Sequence, residues 1–143
     1  MVLSAIEIEQ RHHRVGASDV ATILGMPTFR NRNAYTTWLE KCDMLEPEKR
    51  TDASITAGNR LEPVVLDFAE EQYGDLDRNV VVWDKQGAPI ASTLDGQVKA
   101  NGRPVEAKTS GIEGPIHGTW GEAGSDEVPD GYIIQCQTQL LCT

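Results

Sequence analysis

The stretch 92–109, S-T-L-D-G-Q-V-K-A-N-G-R-P-V-E-A-K-T, constrains the fold more than any other part of this chain. It sets a short apolar run before Asp95, leaves ten residues, then places Glu106 with Lys108 two positions beyond. Asn101-Gly102 reads as a tight turn, because both residue types tolerate positive φ. Val105, Ala107 and Thr109 alternate with Glu106 and Lys108, as side chains do along a strand. Glu106 and Lys108 are therefore expected on one strand face, with the turn returning Asp95 toward them. Carboxylates with a lysine beside them are what metal-assisted phosphodiester hydrolysis requires. The plain alternative is a turn at Asp95-Gly96 and a surface ion pair between Glu106 and Lys108.

The remaining pattern fits one domain, 1–143, with a modest core. Residues 135–143 run on without a stop signal, so a single domain that is C-terminally incomplete is the expectation. No apolar run approaches the roughly eighteen residues of a spanning helix, and Glu7, Glu9, Arg11 and His12 interrupt any signal-peptide pattern. Cys42, Cys136 and Cys142 are odd in number and lack metal-finger spacing, so they read as free thiols. Cys136 and Cys142 are expected to be buried apolar groups. The formal net charge of −9 argues against a passive DNA-coating protein. Its excess lies late: residues 1–50 hold seven acidic and seven basic side chains, and residues 51–143 hold fifteen and six. Arg11, His12, His13, Arg14, Arg30 and Arg32 are candidates for one positive surface.

Taken in order, residues 1–15 read as a leader or helix. Ser18 is read as the N-cap of a helix with Val20, Ile23 and Leu24 inward and Gly25 as its stop. The helix start also offers a phosphate site beside an arginine. The segment 26–33 reads as a loop exposing Arg30 and Arg32. Asn33 caps a helix over 34–41 whose Tyr35, Trp38 and Leu39 are expected in the core. A long helical pattern covers about 52–73, with Gly58 and Pro63 allowing two helices and Glu62 near the second start. Asp67, Glu70 and Glu71 read as solvated. Strands are expected at 79–83, 88–94 and 103–109. The segment 110–130 reads as a Gly-rich loop and 131–142 as a helix. On that helix Ile133, Ile134, Cys136, Gln137, Leu140 and Leu141 cluster, and Gln135 and Gln139 share a stripe.

Hard divalent cations with carboxylate ligands suit the chemistry, so Mg²⁺, with Mn²⁺ as substitute, is the expected ion. Asp95 and Glu106 are candidate ligands, joined by the Ala107 carbonyl and by Glu62. Lys108 is placed to orient or help deprotonate water, or to meet phosphate charge. The adjacent His12 and His13 are expected to point apart, and His117 to lie elsewhere.

Several segments together resemble the YqaJ-type viral recombinase family, relatives of lambda exonuclease in the PD-(D/E)xK nuclease superfamily. They are R-x-x-x-x-G-A-S-D-V-A-T-I-L-G at 11–25, W-x-x-K at 38–41, G-N-R-L-E-P at 58–63, S-T-L-D-G at 92–96, V-E-A-K-T at 105–109 and V-P-x-x-Y-x-x-Q-C-Q at 128–137. Each is weak alone, but their order and spacing are specific. Leu94 stands where the superfamily often has proline, which supplies no ligand.

The resemblance implies an α/β (α+β) restriction-endonuclease-like core, a mixed, mostly antiparallel sheet flanked by helices. It implies metal ligation by Glu62, Asp95, Glu106 and the Ala107 carbonyl, catalysis with Lys108, and Gln135 near the centre. Arg14 and Ser18 fall where the family binds the terminal phosphate. The implied activity is Mg²⁺-dependent 5′-to-3′ exonucleolysis of double-stranded DNA ends. The 3′ overhangs would pass to a single-strand annealing protein. A homotrimeric ring, no membrane, and a phage or prophage setting in the bacterial cytoplasm are the corresponding expectations. The alternatives are a non-catalytic DNA-end-binding protein on this scaffold and an interaction domain with an incidental E-x-K.

Overall fold

The computed structural model describes residues 9, 12–26, 32–48, 52–110 and 120–143. Four strands form one sheet: β1 (Val15–Gly16), β2 (Leu76–Trp83), β3 (Ile90–Val98) and β4 (Pro104–Val105). Among the described residues four helices flank it: α1 (Ala17–Ile23), α2 (Ala34–Lys41), α3 (Ala53–Tyr73) and α4 (Asp130–Cys142). β3 is the hub. β2 runs antiparallel along it, β4 pairs antiparallel at Gly96 and Gln97, and β1 pairs in parallel at Ile90 and Ala91. This is the mixed, mostly antiparallel sheet with helical cover that was expected.

The turn after β3 forms as anticipated, with Gly102 at φ 72° and its N–H donating to the Val98 carbonyl at 2.8 Å. Asp95-Gly96 is no turn: β3 passes straight through both. Nor does regular strand reach 103–109, since β4 holds only two residues and 106–110 is irregular. The β2–β3 register is continuous on either side of Asn79 and Asp95 but passes over that pair. Asn79 explains the gap, because its φ of 56° takes it out of extended geometry.

Alternation along β3 divides its two faces. Leu66 of α3 packs with Leu76 and Val98 in a core that Ala69, Val105 and Ala107 flank. Gly96 lets that helix approach. A Cβ there would stand 3.0 Å from Leu76 Cδ1 and 3.4 Å from Leu66 Cδ2. α3 is a single unbroken helix capped by Asp52, whose side chain accepts from the Ile55 N–H at 3.0 Å. Pro63 therefore lies inside it, and the division into two helices does not occur.

The polar burial differs most from expectation. The N-cap of α1 is Gly16 in extended geometry, not Ser18, which sits exposed in the first turn. Pairing of β1 with β3 starts the helix two residues early, and Asp19 Oδ2 accepts the Gly16 N–H at 3.0 Å. The buried face of α1 is Ala17, Asp19, Ala21 and Thr22, while Ile23 and Leu24 are exposed. Arg32 does not join an exposed basic surface. It turns inward to Asp19, at 3.1 Å, and to Glu40, and Lys41 meets Asp19 at 3.0 Å.

Asn33 caps α2 as expected, accepting from the Thr36 N–H at 3.0 Å. Tyr35 and Trp38, expected in the core, are exposed and stacked on each other at 5.9 Å. Thr37 and Glu40 take the inner face, because the Arg32 guanidinium needs a carboxylate there. On α4 the apolar cluster is likewise displaced: Ile133, Leu140 and Leu141 are exposed and Thr138, Gln139 and Cys142 are buried. Asp67 and Glu70 are engaged with Arg78 at 2.6 and 2.5 Å. Arg11, Arg30 and His117, and most of the 1–15 segment, lie outside the described residues.

Candidate active site

The hairpin does bring its three chemical residues together. Asp95 lies on the β3 face opposite the Leu66 contact, and its Oδ2 accepts the Ala107 N–H at 2.8 Å. That bond orders the irregular chain after β4. Glu106 then projects on the Asp95 side while Ala107 joins Val105 against the core. Lys108 returns to form an ion pair with Glu106 Oε1.

Helix α4 completes the grip on Glu106, whose side chain is only 7% exposed. Gln135 Nε2 donates to Oε1 at 2.5 Å, and Gln139 Nε2 donates to Oε2. Tyr132, Gln135 and Gln139 fall at i, i+3 and i+7, one face of a helix. Tyr132 sets its ring 5.3 Å from the Lys108 ammonium, and Trp120 packs 5.6 Å from that ring. Gln139 and Tyr132 were not singled out as site residues by sequence reasoning. The shared Gln135–Gln139 stripe was the available signal, but it did not show which acceptor the stripe faces. Gln137 is exposed and takes no part in the grip.

Glu62 comes from α3, inside the helix and not near a helix start. Contacts one turn to either side fix its position. A Cβ at Gly58 would stand 3.4 Å from Thr109 Oγ1, and Leu66 packs at Gly96. Glu62 lines a groove of about 440 Å³ with Asn59, Pro63, Leu66, Arg78 and Asn79, the last standing opposite Asp95 across the ladder.

The electrostatics tie the three acids into one centre. Burial pushes the Asp95 carboxyl up to about 6, and the charges of Glu106 and Glu62 add to the rise. The Ala107 N–H and the Lys108 ammonium oppose it without cancelling it. Burial works against the Lys108 ammonium, but Glu106 and Asp95 outweigh it and hold that group above its ordinary range. Lys108 is thus a cation here, suited to meeting phosphate charge more than to taking a proton. Burial, with Glu106 next, likewise raises the Cys136 thiol, which fits an unreactive packed cysteine.

An all-oxygen donor set carrying surplus negative charge in a half-buried place fits a hard divalent cation. The set is not tightly closed. Among the described residues, His12, His13 and Asp43 alone bring three His, Cys, Asp or Glu ligand atoms within 4.8 Å of one another. Glu62, Asp95 and Glu106 stand further apart than that. Ala107 is engaged through its N–H.

The expected phosphate residues are not bonded into this grip. Arg14 precedes β1 and holds its guanidinium 4.9 Å from the Trp83 ring centroid. Ser18 is exposed on the first turn of α1. Neither is bonded to Asp95 or Glu106 among the described residues. His12 and His13 do not point apart: both rings reach Asp43. Cys42 is exposed, while Cys142 is buried as expected.

With this geometry in view, the chain matches the profile of the YqaJ-like viral recombinase domain over residues 8–143. It is also similar to a crystal structure of an alkaline exonuclease, LHK-Exo, from Laribacter hongkongensis. The TM-score is 0.67 at 22% identity, over 98% of this chain and 69% of that one. A second structure, LHK-Exo in complex with dAMP, aligns with TM-score 0.54 at 20% identity, over 92% of this chain and 65% of that one. These likenesses show the shared fold. No curated protein matches the sequence. Among the described residues, no helix is long and apolar enough to cross a membrane.

Proposed function

Because the chain belongs to the YqaJ-like viral recombinase family, we propose that it is a metal-dependent 5′-to-3′ exonuclease of linear double-stranded DNA. Its product would be a 3′ single-stranded overhang for recombination. The observation that carries the reading is Glu106, a nearly buried carboxylate held at both oxygens by Gln135, Gln139 and Lys108. A lysine alone neutralises a carboxylate. Two further amide donors fix its rotamer, and the surplus charge of Asp95 and Glu62 remains for a cation.

Glu62, Asp95, Glu106 and the Ala107 carbonyl would hold Mg²⁺ or Mn²⁺. When bound, such an ion makes water a better nucleophile and neutralises charge on the phosphate. Gln135 and Gln139 orient Glu106, and the Ala107 N–H orients Asp95. Lys108 meets the charge that grows on the scissile phosphate. Arg14 and Ser18 receive the terminal 5′ phosphate, which sets the polarity. The solved LHK-Exo complex holds dAMP, a deoxynucleoside monophosphate of the kind stepwise removal would release. A single-strand annealing protein, a homotrimeric ring around the duplex, and the bacterial cytoplasm as the place of action belong to the same proposal.

The test is digestion of linear duplex DNA bearing a 5′ phosphate, set against a closed circle. Loss of the linear form only with Mg²⁺ or Mn²⁺, abolished in folded Glu106→Ala and Lys108→Ala proteins, supports the reading. Tight end binding by inert protein with either ion overturns it in favour of a non-catalytic end-binding module. The open spacing of the three carboxylates is the observation that favours that second reading.

A further inference from the structure

We propose that His12, His13 and Asp43 form a surface site for a borderline divalent transition ion of the Zn²⁺ class, distinct from the carboxylate centre. Adjacent residues rarely aim two side chains at one point, yet these two rings converge on a single carboxylate. His12 Nε2 lies 2.5 Å from Asp43 Oδ1, and His13 Nε2 lies 3.7 Å from Asp43 Oδ2. The three ligand atoms all fall within 4.8 Å of one another.

The hydrogen bonding at His13 suits a ligating histidine. His13 Nδ1 lies 3.0 Å from the Lys41 carbonyl, which can only accept, so Nδ1 carries the proton. In a neutral ring that leaves the Nε2 lone pair facing the lone pairs of Asp43 Oδ2. A cation between them resolves the clash, and a backbone carbonyl on the far nitrogen is the usual support of a ligating histidine. The backbone supplies a second reason. Asp43 follows the C-cap of α2 at φ 58°, a left-handed position that glycine normally fills. A carboxylate placed there is aimed back at the chain entering β1.

The donor chemistry chooses the ion. Two imidazoles and one carboxylate suit Zn²⁺, Co²⁺ or Ni²⁺, whereas Mg²⁺ prefers oxygen and water. Tetrahedral ligation spaces donor atoms by about 3.3 Å. The His12–Asp43 contact of 2.5 Å must open by less than an ångström to reach that spacing, which a small ring rotation can do. Water completes the shell, since the side chains of His12, His13 and Asp43 are 34%, 57% and 62% exposed. Loading the site would pin the segment immediately before Arg14 to the end of α2.

The experiment is a titration of the full chain with CoCl₂ read by visible absorption, then ZnCl₂ competition, with millimolar Mg²⁺ present throughout. The expected result is one equivalent of Co²⁺ bound without a thiolate charge-transfer band, and displaced by Zn²⁺. His13→Ala and Asp43→Asn should each weaken it by about tenfold or more, and Glu106→Gln should leave it unchanged. His13 and Asp43 are exposed, so their variants fold, and circular dichroism confirms the fold of Glu106→Gln before its titration. Three results overturn the proposal: binding that survives a His12→Ala/His13→Ala double substitution, binding lost in Glu106→Gln, or a thiolate band abolished by Cys42→Ser.

Discussion

Replacing Arg32 with methionine should be among the most damaging single substitutions in the described chain. The side chains of Arg32, Asp19 and Glu40 are each only 9% exposed. The guanidinium is the shared partner of both acids, and Lys41 supports only Asp19. Removing Arg32 leaves Glu40 charged and without its cation in a low-dielectric place. Breaking a buried pair from one side costs about 3–5 kcal/mol, a large part of the 5–15 kcal/mol or so that holds a domain together. For a chain of this size that corresponds to a fall in Tm of about 10 °C. Urea unfolding at neutral pH measures it, with the midpoint shifted and the slope unchanged. The control is Arg32→Met with Glu40→Leu, which removes the stranded charge and should recover a major part of the loss. A single substitution costing under about 1 kcal/mol, the range of exposed pairs, would refute the reasoning. So would a double variant no more stable than the single one.

The same network predicts an acid-labile fold. Burial alone would raise the Asp19 carboxyl, but Lys41, the Gly16 N–H and Arg32 together hold it below its ordinary value. A depressed carboxylate contributes stability above its unfolded value and loses it as pH falls through the folded one. Asp19→Asn should therefore lower stability at neutral pH and flatten the acid limb of a stability–pH curve; an unchanged limb rejects it. Gln139→Leu removes a buried bond to a charged group, so about 1.5–3 kcal/mol of stability should go with it. Cleavage should fall as well, and unaltered cleavage would deny Gln139 its positioning role. Arg14→Ala should erase the preference for 5′-phosphorylated over hydroxyl ends while leaving Mg²⁺ dependence intact. Equal use of both ends by the unsubstituted protein would remove Arg14 from that role.

What the sequence made legible follows the range over which each signal acts. The Asn33 cap, the Asn101-Gly102 turn and the reach of α4 are set within a few residues, and the structure has all three. The E-x-K pairing also needed only local alternation, even though regular strand stops at Val105. Helix faces were not legible in the same way. Periodicity places Ile23, Leu24, Tyr35 and Trp38 inside, but what faces inward is decided by partners far along the chain. Asp19 is buried because Arg32 and Lys41 arrive to meet it, and Glu40 because Arg32 does. A hydropathy pattern carries no term for a carboxylate whose counter-charge is thirteen residues away.

The candidate centre shows the same division inside a single residue. Glu106 is reached from Lys108 across two positions, and that half of its environment can be read from the chain. The other half arrives from α4, where Gln135 and Gln139 lie 29 and 33 residues further on. Their one-turn spacing says that both face the same way, not what they face. Position 62 has no local meaning either. Gly58 and Leu66, one turn to either side, have their fit set by Thr109 and Gly96, so Glu62 acquires its place only when α3 docks. Gly96→Ala is therefore informative about more than packing. It lies beside Asp95 but acts on α3, because its Cβ would press on Leu66 and Leu76. If docking of α3 holds Glu62 in the field of Asp95, this substitution should weaken Mg²⁺-supported cleavage more than binding of DNA ends. Activity and end binding reduced in equal proportion would show that α3 contributes stability without placing a ligand.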